Sequence, residues 1–359
     1  MKLFSQLLLG LTIVCLLIWQ LPWCYNFLTA RSTKAPFTLY SSVIGDFAMM
    51  TPSGDKGMLR SDLSGRTYTQ AQFDSILPMF YFRQLMSDER FPDTLNGVPV
   101  TPRMAQMENF NFRVVPSDIN APHIGLYPLL EGMSGRVDLQ MPDDVFRITG
   151  KRFLVLTMSL QEYEYYITQI KKKSRRFTEA MEKKGFHFPA TEIAGNPTTR
   201  KEYDEGYLLL DADRRLFHLK QMKGRPYVRS IELPDGIQLK HVFVTEFKNR
   251  KTLAFMTDAD RSFYVLRNKT YEVVKVGIPS FDPEKEALAV FGNMFDWTLR
   301  VTRPEVEVYY AVNADDYSLI KSMELPAEEL SAAEKIGKYV FPLRLSFTSG
   351  TDKYVIPRF

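Results

Sequence analysis

Two stretches, "LLLDADRRLFHL" from Leu208 to Leu219 and "AFMTDADRSFYVL" from Ala254 to Leu266, set Asp-Ala-Asp-Arg between short apolar runs, with the two copies 47 residues apart. Carboxylates at i and i+2 could ligate a cation or serve as an acid/base pair. A calcium loop of the helix–loop–helix kind also needs Gly at its sixth position and a bidentate Glu at its twelfth. Counted from Asp211 those positions hold Leu216 and Met222, which excludes that motif. Asp is equally suited to a tight turn, because its short side chain accepts from backbone N–H groups two residues on and tolerates left-handed backbone.

The surroundings favour the turn, since they repeat as well. Each copy is followed by a β-like run ending in Pro, "YVRSIELP" to Pro234 and "YEVVKVGIP" to Pro279, and then by another strand-like run, "LKHVFVTEF" and "ALAVFGNMF". A weaker third copy, "VYYAVNADDYSLI", has Asn313 and Asp315 in place of the two aspartates, 55 residues beyond the second. About four short strands per unit of this length is the arithmetic of a propeller blade. The fold expected is mainly β, a propeller-like repeat domain with helical insertions. The Asp tract would join second and third strands, and Ala at Asp211 or Asp258 would cost about 1 kcal/mol at either site alike.

The densest gathering of other polar groups is the tract "GNPTTRKEYDEG" between Gly195 and Gly206. Loops on a rigid scaffold often carry binding groups, which makes Asn196, Thr198, Thr199, Arg200, Lys201, Tyr203, Asp204 and Glu205 the candidate binding loop. For an envelope hydrolase acting on carbohydrate or peptide, the carboxylates to test first would be Asp204, Glu205, Asp211 and Asp213. Two of them would have to share a cleft within about 10 Å. The four histidines, His123, His187, His218 and His241, are isolated in sequence, and no Gly-x-Ser-x-Gly elbow or phosphate-cradling loop is present. No catalytic residue, metal ligand set or cofactor is assigned.

The elements that would hold these groups begin with a leader. Lys2 precedes an apolar run from Leu3 to Leu21, which at 1.5 Å per residue spans about 28 Å, close to a bilayer's hydrocarbon thickness. Trp19, Trp23 and Tyr25 sit where an aromatic belt would lie, and Pro22 is expected to end the helix. Leu28 occupies a position where signal cleavage wants a small residue, so residues 1–30 read as an uncleaved transmembrane anchor that touches membrane lipid. Residues 31–140 read as strands and helices, degenerate blades among them, with a capping box from Thr69 to Gln72 and a helix that Pro78 splits. Residues 141–359 read as the repeat region with an inserted helix at 160–184, N-capped by Ser159 with Glu162, its apolar face including Ile167, Ile170, Phe177 and Met181 and its end marked by Gly185. Lys171, Lys172, Lys173, Arg175 and Arg176 line the opposite side.

The chain has 359 residues, 46 basic and 42 acidic, 45% hydrophobic and 13% aromatic. That balance describes a globular chain without the one-sided basic field that nucleic acid requires. Both cysteines, Cys15 and Cys24, lie in the leader, so disulfide, thiolate-metal and cysteine-nucleophile chemistry are excluded from the remainder.

With its leader, the "GNPTTRKEYDEGYLLLDADRRLFHLK" tract and a strand-rich C-terminal half, the chain resembles a family of single-anchor membrane proteins of unknown function in Bacteroidales, whose genes lie beside those for ABC-type transporter components. The resemblance covers nearly the whole chain but brings no active-site residues. It implies an envelope location and a transporter permease as partner, while the signal-like layout of the leader points to a single-pass inner-membrane protein with its bulk in the periplasm. The function expected is a non-enzymatic accessory or sensor.

Overall fold

The computed structural model describes residues 2–29, 36–53, 57–121, 124–132, 139–157, 163–326, 332–342, 344–347 and 355–358. The protein is mainly β, built from several small antiparallel sheets behind one apolar N-terminal helix. Three meanders of four consecutive strands follow one another along the chain. The first meander comprises Glu192–Gly195, Tyr207–Leu210, Leu216–Met222 and Arg225–Ile231, and the second Leu239–Val244, Thr252–Asp258, Phe263–Arg267 and Val273–Lys275. The third runs through Ala287–Gly292, Asp296–Thr302, Val306–Asn313 and Leu319–Pro326, and gains a distant strand, Phe110–Val114, beside Ala287–Gly292.

These sheets stack face to face because their central strands are apolar on both sides. Tyr207, Leu209, Phe217 and Leu219 point one way, into a core shared with the sheet of Tyr127–Pro128, Asp144–Ile148 and Phe153–Thr157. Their neighbours Leu208, Leu210 and Leu216 point the other way, onto Leu253, Met256 and Leu266 of the second meander. The second meander does the same toward the third, with Phe255, Phe263 and Val265 against Trp297, Leu299 and Val308. Alternation along a strand thus feeds two cores at once.

The far face of the third meander is covered by the beginning of the chain. Phe37–Ser41, Asp46–Pro52 and Met58–Asp62 form an N-terminal sheet whose Tyr40 and Phe47 pack on Tyr309, Ala311 and Met323. Tyr40 N–H donates to Thr298 Oγ1 at 2.8 Å, and Lys321 pairs with Asp46 at 2.7 Å. The spatial order is therefore the 127–157 sheet, first, second and third meanders, then the N-terminal sheet.

The helix Lys2–Thr29 is long and apolar enough to cross a membrane, and among its residues only Pro22 is buried. Pro22 does not end it, contrary to expectation: one proline removes a single i→i−4 bond, which flanking turns can absorb. The short helix Ala332–Val340 rests on its end, where Tyr25 OH donates to the carbonyl of Ala333 at 2.8 Å. Gly337 permits that approach, since a Cβ there would lie 2.7 Å from the Tyr25 ring.

The capping box at Thr69 is present, and the expected break yields two helices, Gln70–Ile76 and Phe82–Ser87. The inserted helix occupies Tyr163–Lys183 and lies on strand Phe153–Thr157 through stacked Phe153 and Phe177 rings, 4.8 Å apart. Gly185 follows it with φ +80°. Ser159, Leu160 and Glu162, expected at its start, and His123 lie outside the described residues.

Candidate functional site

The repeated Asp tracts are turns. Asp211 and Asp258 each accept an amide bond at the backbone carbonyl from the third residue on, Arg214 or Arg261, whose φ values are +62° and +64°. Asp211 Oδ1 also accepts from Asp213 and Arg215 N–H, both at 2.9 Å, and Asp258 Oδ1 accepts from Ser262 N–H at 2.8 Å. A further copy sits at Asp62. Gly65 supplies the positive φ of +83°, Arg66 N–H reaches Oδ1 at 3.0 Å, and Tyr68 OH donates to Oδ2 at 2.7 Å, as Tyr264 OH does to Asp258. Its sequence, "DLSGRTY", shares only Asp, a positive-φ residue and Tyr with "DADRSFY".

Two corrections follow. The third tract, at Asn313, joins the third and fourth consecutive strands of its meander and is one residue longer, with Tyr317 at φ +60°. The first two sites also differ in their partners, where alike behaviour was expected. Asp211, wholly buried, additionally takes His187 N–H at 3.1 Å and the Arg215 guanidinium at 2.6 Å. Burial opposes its charge, but the Arg215 and amide donors outweigh it and hold the carboxyl below the usual range.

The loop from Asn196 to Gly206 is folded inward. Lys201 Nζ lies 2.6 Å from Asp204, 2.7 Å from Glu246 and 2.6 Å from the carbonyl of Asn196. The Lys201, Asp204 and Glu246 side chains are 5%, 4% and 1% exposed. Glu246 also accepts from the Asn196 amide and Glu205 N–H, both at 2.8 Å. Burial raises the Glu246 carboxyl and Lys201 lowers it again, for a net upward shift. Asp204 accepts Gly206 N–H at 3.1 Å; Gly206 has φ +69°, and a Cβ there would meet Leu219 O at 2.4 Å. Glu205 pairs with Lys220 at 2.9 Å, and its carbonyl accepts from His218 Nε2–H, whose other nitrogen accepts from Tyr271 OH at 2.8 Å. Burial drives that imidazole down to about 4, so it is neutral. Thr198 Oγ1 accepts Arg200 N–H at 3.1 Å, Thr199 is half-buried, and Arg200 is exposed.

Behind Tyr203 the loop meets a cleft. Tyr203 OH donates to Phe247 O at 2.7 Å, which fixes the ring, and the Arg250 guanidinium lies 4.1 Å over its face. Arg250 lines a cleft of about 380 Å³ between the second and third meanders, with Lys251, Arg267, Lys269, Glu108 and Asp315. Trp297 and Tyr317 form its apolar side. Of the cleft residues Asp315 was named from sequence as part of the third tract; for Arg250 and Lys251 the charged run "EFKNRK" at Glu246–Lys251 was the available signal.

Of the four carboxylates considered for hydrolysis, Asp211 and Asp213 come within 4.8 Å of each other, and Asp204 and Glu205 stand apart from them. Asp204 and Glu205 precede the strand Tyr207–Leu210 and Asp211 and Asp213 follow it, which at about 3.3 Å per residue puts them roughly 15 Å or more apart along the strand. His187, Asp211 and Asp213 do gather within 4.8 Å, with His187 Nδ1 2.5 Å from Asp213. Arg215 Nη2 stands 2.6 Å from Asp211 and 3.7 Å from Asp213, so a cation placed there would have to displace a guanidinium.

Among solved structures, the chain is similar to the WD40 domain of SCAP from fission yeast, at 9% identity over 88% of this chain and 80% of that one. The TM-score is 0.30, too slight a likeness to assign a fold. A search of curated proteins finds no match. The model of a domain of unknown function, DUF4857, matches residues 37–312, from the N-terminal sheet through the third meander, and the chain belongs to that family.

Proposed function

We propose that the protein is a single-pass, membrane-anchored accessory or sensor, non-enzymatic, whose stacked sheets form a propeller-like body on the periplasmic side of the inner membrane. The observation that carries this reading is the apolar helix Lys2–Thr29, which leaves all but Pro22 unburied by the sheets and so is free to lie in lipid while they stand outside it. The propeller-like reading draws on the row of stacked meanders, whose last member is covered by the N-terminal sheet. A sensor is preferred to a hydrolase because Asp204, Glu205 and Asp211 are each engaged by a cation, Lys201, Lys220 and Arg215. The partner proposed is an ABC-type permease, in keeping with the resemblance to single-anchor Bacteroidales proteins.

Crosslinking and pull-down from native membranes tests the reading, using the full chain and a version with an unrelated anchor. The expected result is a multi-span permease recovered with the full chain and reduced by the anchor exchange. Recovery of no membrane partner by either version refutes it.

A further inference from the structure

We infer that the cleft between the second and third meanders binds a soluble small molecule bearing a phosphate-like dianion, which deepens the sensor reading and rests on it. The cleft has four cations against two carboxylates, and the pairings decide which are free. Lys251 is taken by Glu108 at 2.9 Å, and Arg267 by Glu272 at 3.2 Å. Among the described residues Arg250 and Lys269 have no ion pair. Asp315 has no ion pair among the described residues either, so the unspent charges are two positive and one negative, and Arg250 and Lys269 are the two cations placed to meet an anion such as a phosphate monoester.

The geometry makes those charges usable. Arg250 is held flat against Tyr203, itself tied to Phe247 O, so little side-chain freedom remains to be lost on binding. Arg250 and Lys269 both sit at left-handed turn positions, φ +54° and +67°, on the two hairpins that border the opening. Asn268, beside Lys269, reaches back to Glu205 at 3.4 Å, tying the second hairpin to the folded-in loop. The volume of about 380 Å³ and the apolar side of Trp297 and Tyr317 admit an organic body attached to the anion. A phosphate could also arrive on a lipid headgroup, and the test separates the two.

The experiment titrates the detergent-solubilised full chain with inorganic phosphate and with glucose 6-phosphate by isothermal calorimetry, and repeats it in nanodiscs with and without phosphatidylglycerol. Saturable binding is expected, tighter for glucose 6-phosphate, weakened at least tenfold by Arg250→Gln with Lys269→Gln, and unchanged by Lys248→Gln on the outer surface. Lys269→Gln alone, on an exposed turn, keeps the test valid if the double variant melts early. Absence of saturable binding to 10 mM, equal binding by the variants, or binding only through phosphatidylglycerol overturns the inference. Anion binding without a permease partner sinks only the transporter reading, and a permease partner without anion binding sinks only this one.

Discussion

Replacing Lys201 by Met keeps the side chain's length and removes the ammonium ion that bridges Asp204 and Glu246, which are 4% and 1% exposed. Breaking a buried pair from one side costs about 3–5 kcal/mol, because the remaining charge has no counter-ion. With an unfolding entropy of roughly 2.1 cal/mol/K per residue over about 320 residues, that loss lowers Tm by about 4–7 °C. The pH dependence gives a second reading. An unpaired buried carboxylate has a folded pKa above its unfolded value, so the penalty is full above the folded pKa and disappears as pH falls toward the unfolded one. Thermal melts of the Met variant should therefore lag the parent most at pH 8 and approach it at pH 5, while adding Asp204→Asn and Glu246→Gln should remove the pH dependence of the gap. A variant melting within about 1 °C of the parent at pH 8 refutes this bridging role, and leaves Lys201 with the binding role first expected of it.

Asp211→Ala should cost about 3 kcal/mol, more than Asp258→Ala at about 1–2 kcal/mol, since Asp211 holds a guanidinium and three amides; equal losses in urea unfolding would contradict the distinction. Asp296, buried between the N-terminal sheet and third meander, is pushed up to about 7 by burial against hydrogen bonds from Asn293 and Ser42. The folded state then prefers the protonated acid, so stability should fall as pH rises from about 4 to 7, by at most about 4 kcal/mol, and Asp296→Asn should flatten that slope in melts across the window. Intact-mass measurement of membrane-extracted protein should find the leader retained; a mature start near Arg31 would count against an anchor.

Local chemistry was legible and long-range pairing was not. The Asp turns show in sequence because Asp and the left-handed residue act within five positions of each other. Even so the copy at Asp62 escaped notice, since Gly65 does there what Arg does elsewhere and little else is shared. The polar loop was visible, but its inward direction depends on Glu246, 45 residues beyond Lys201, and periodicity says nothing about which distant carboxylate a lysine meets. The cleft was hidden for the same reason, as it forms only when hairpins of two meanders stand side by side. Pro22 was expected to end the helix, but a proline removes only one i→i−4 bond, and the apolar residues on both sides of it continue the helix to Thr29.

The seating of Phe37–Ser41 against Asp296–Thr302 has a consequence in time. Tyr40 leaves the ribosome some 258 residues before Thr298, its hydrogen-bond partner. At roughly 5–20 residues per second that is an interval on the order of 10–50 s. During it the first strands follow the apolar helix Lys2–Thr29 with Tyr40 and Phe47 uncovered and their outer face unsupported. The last-made meander therefore covers the apolar face that the first strands present, and any ribosome stall before residue 296 leaves that face sticky and open to proteases and chaperones.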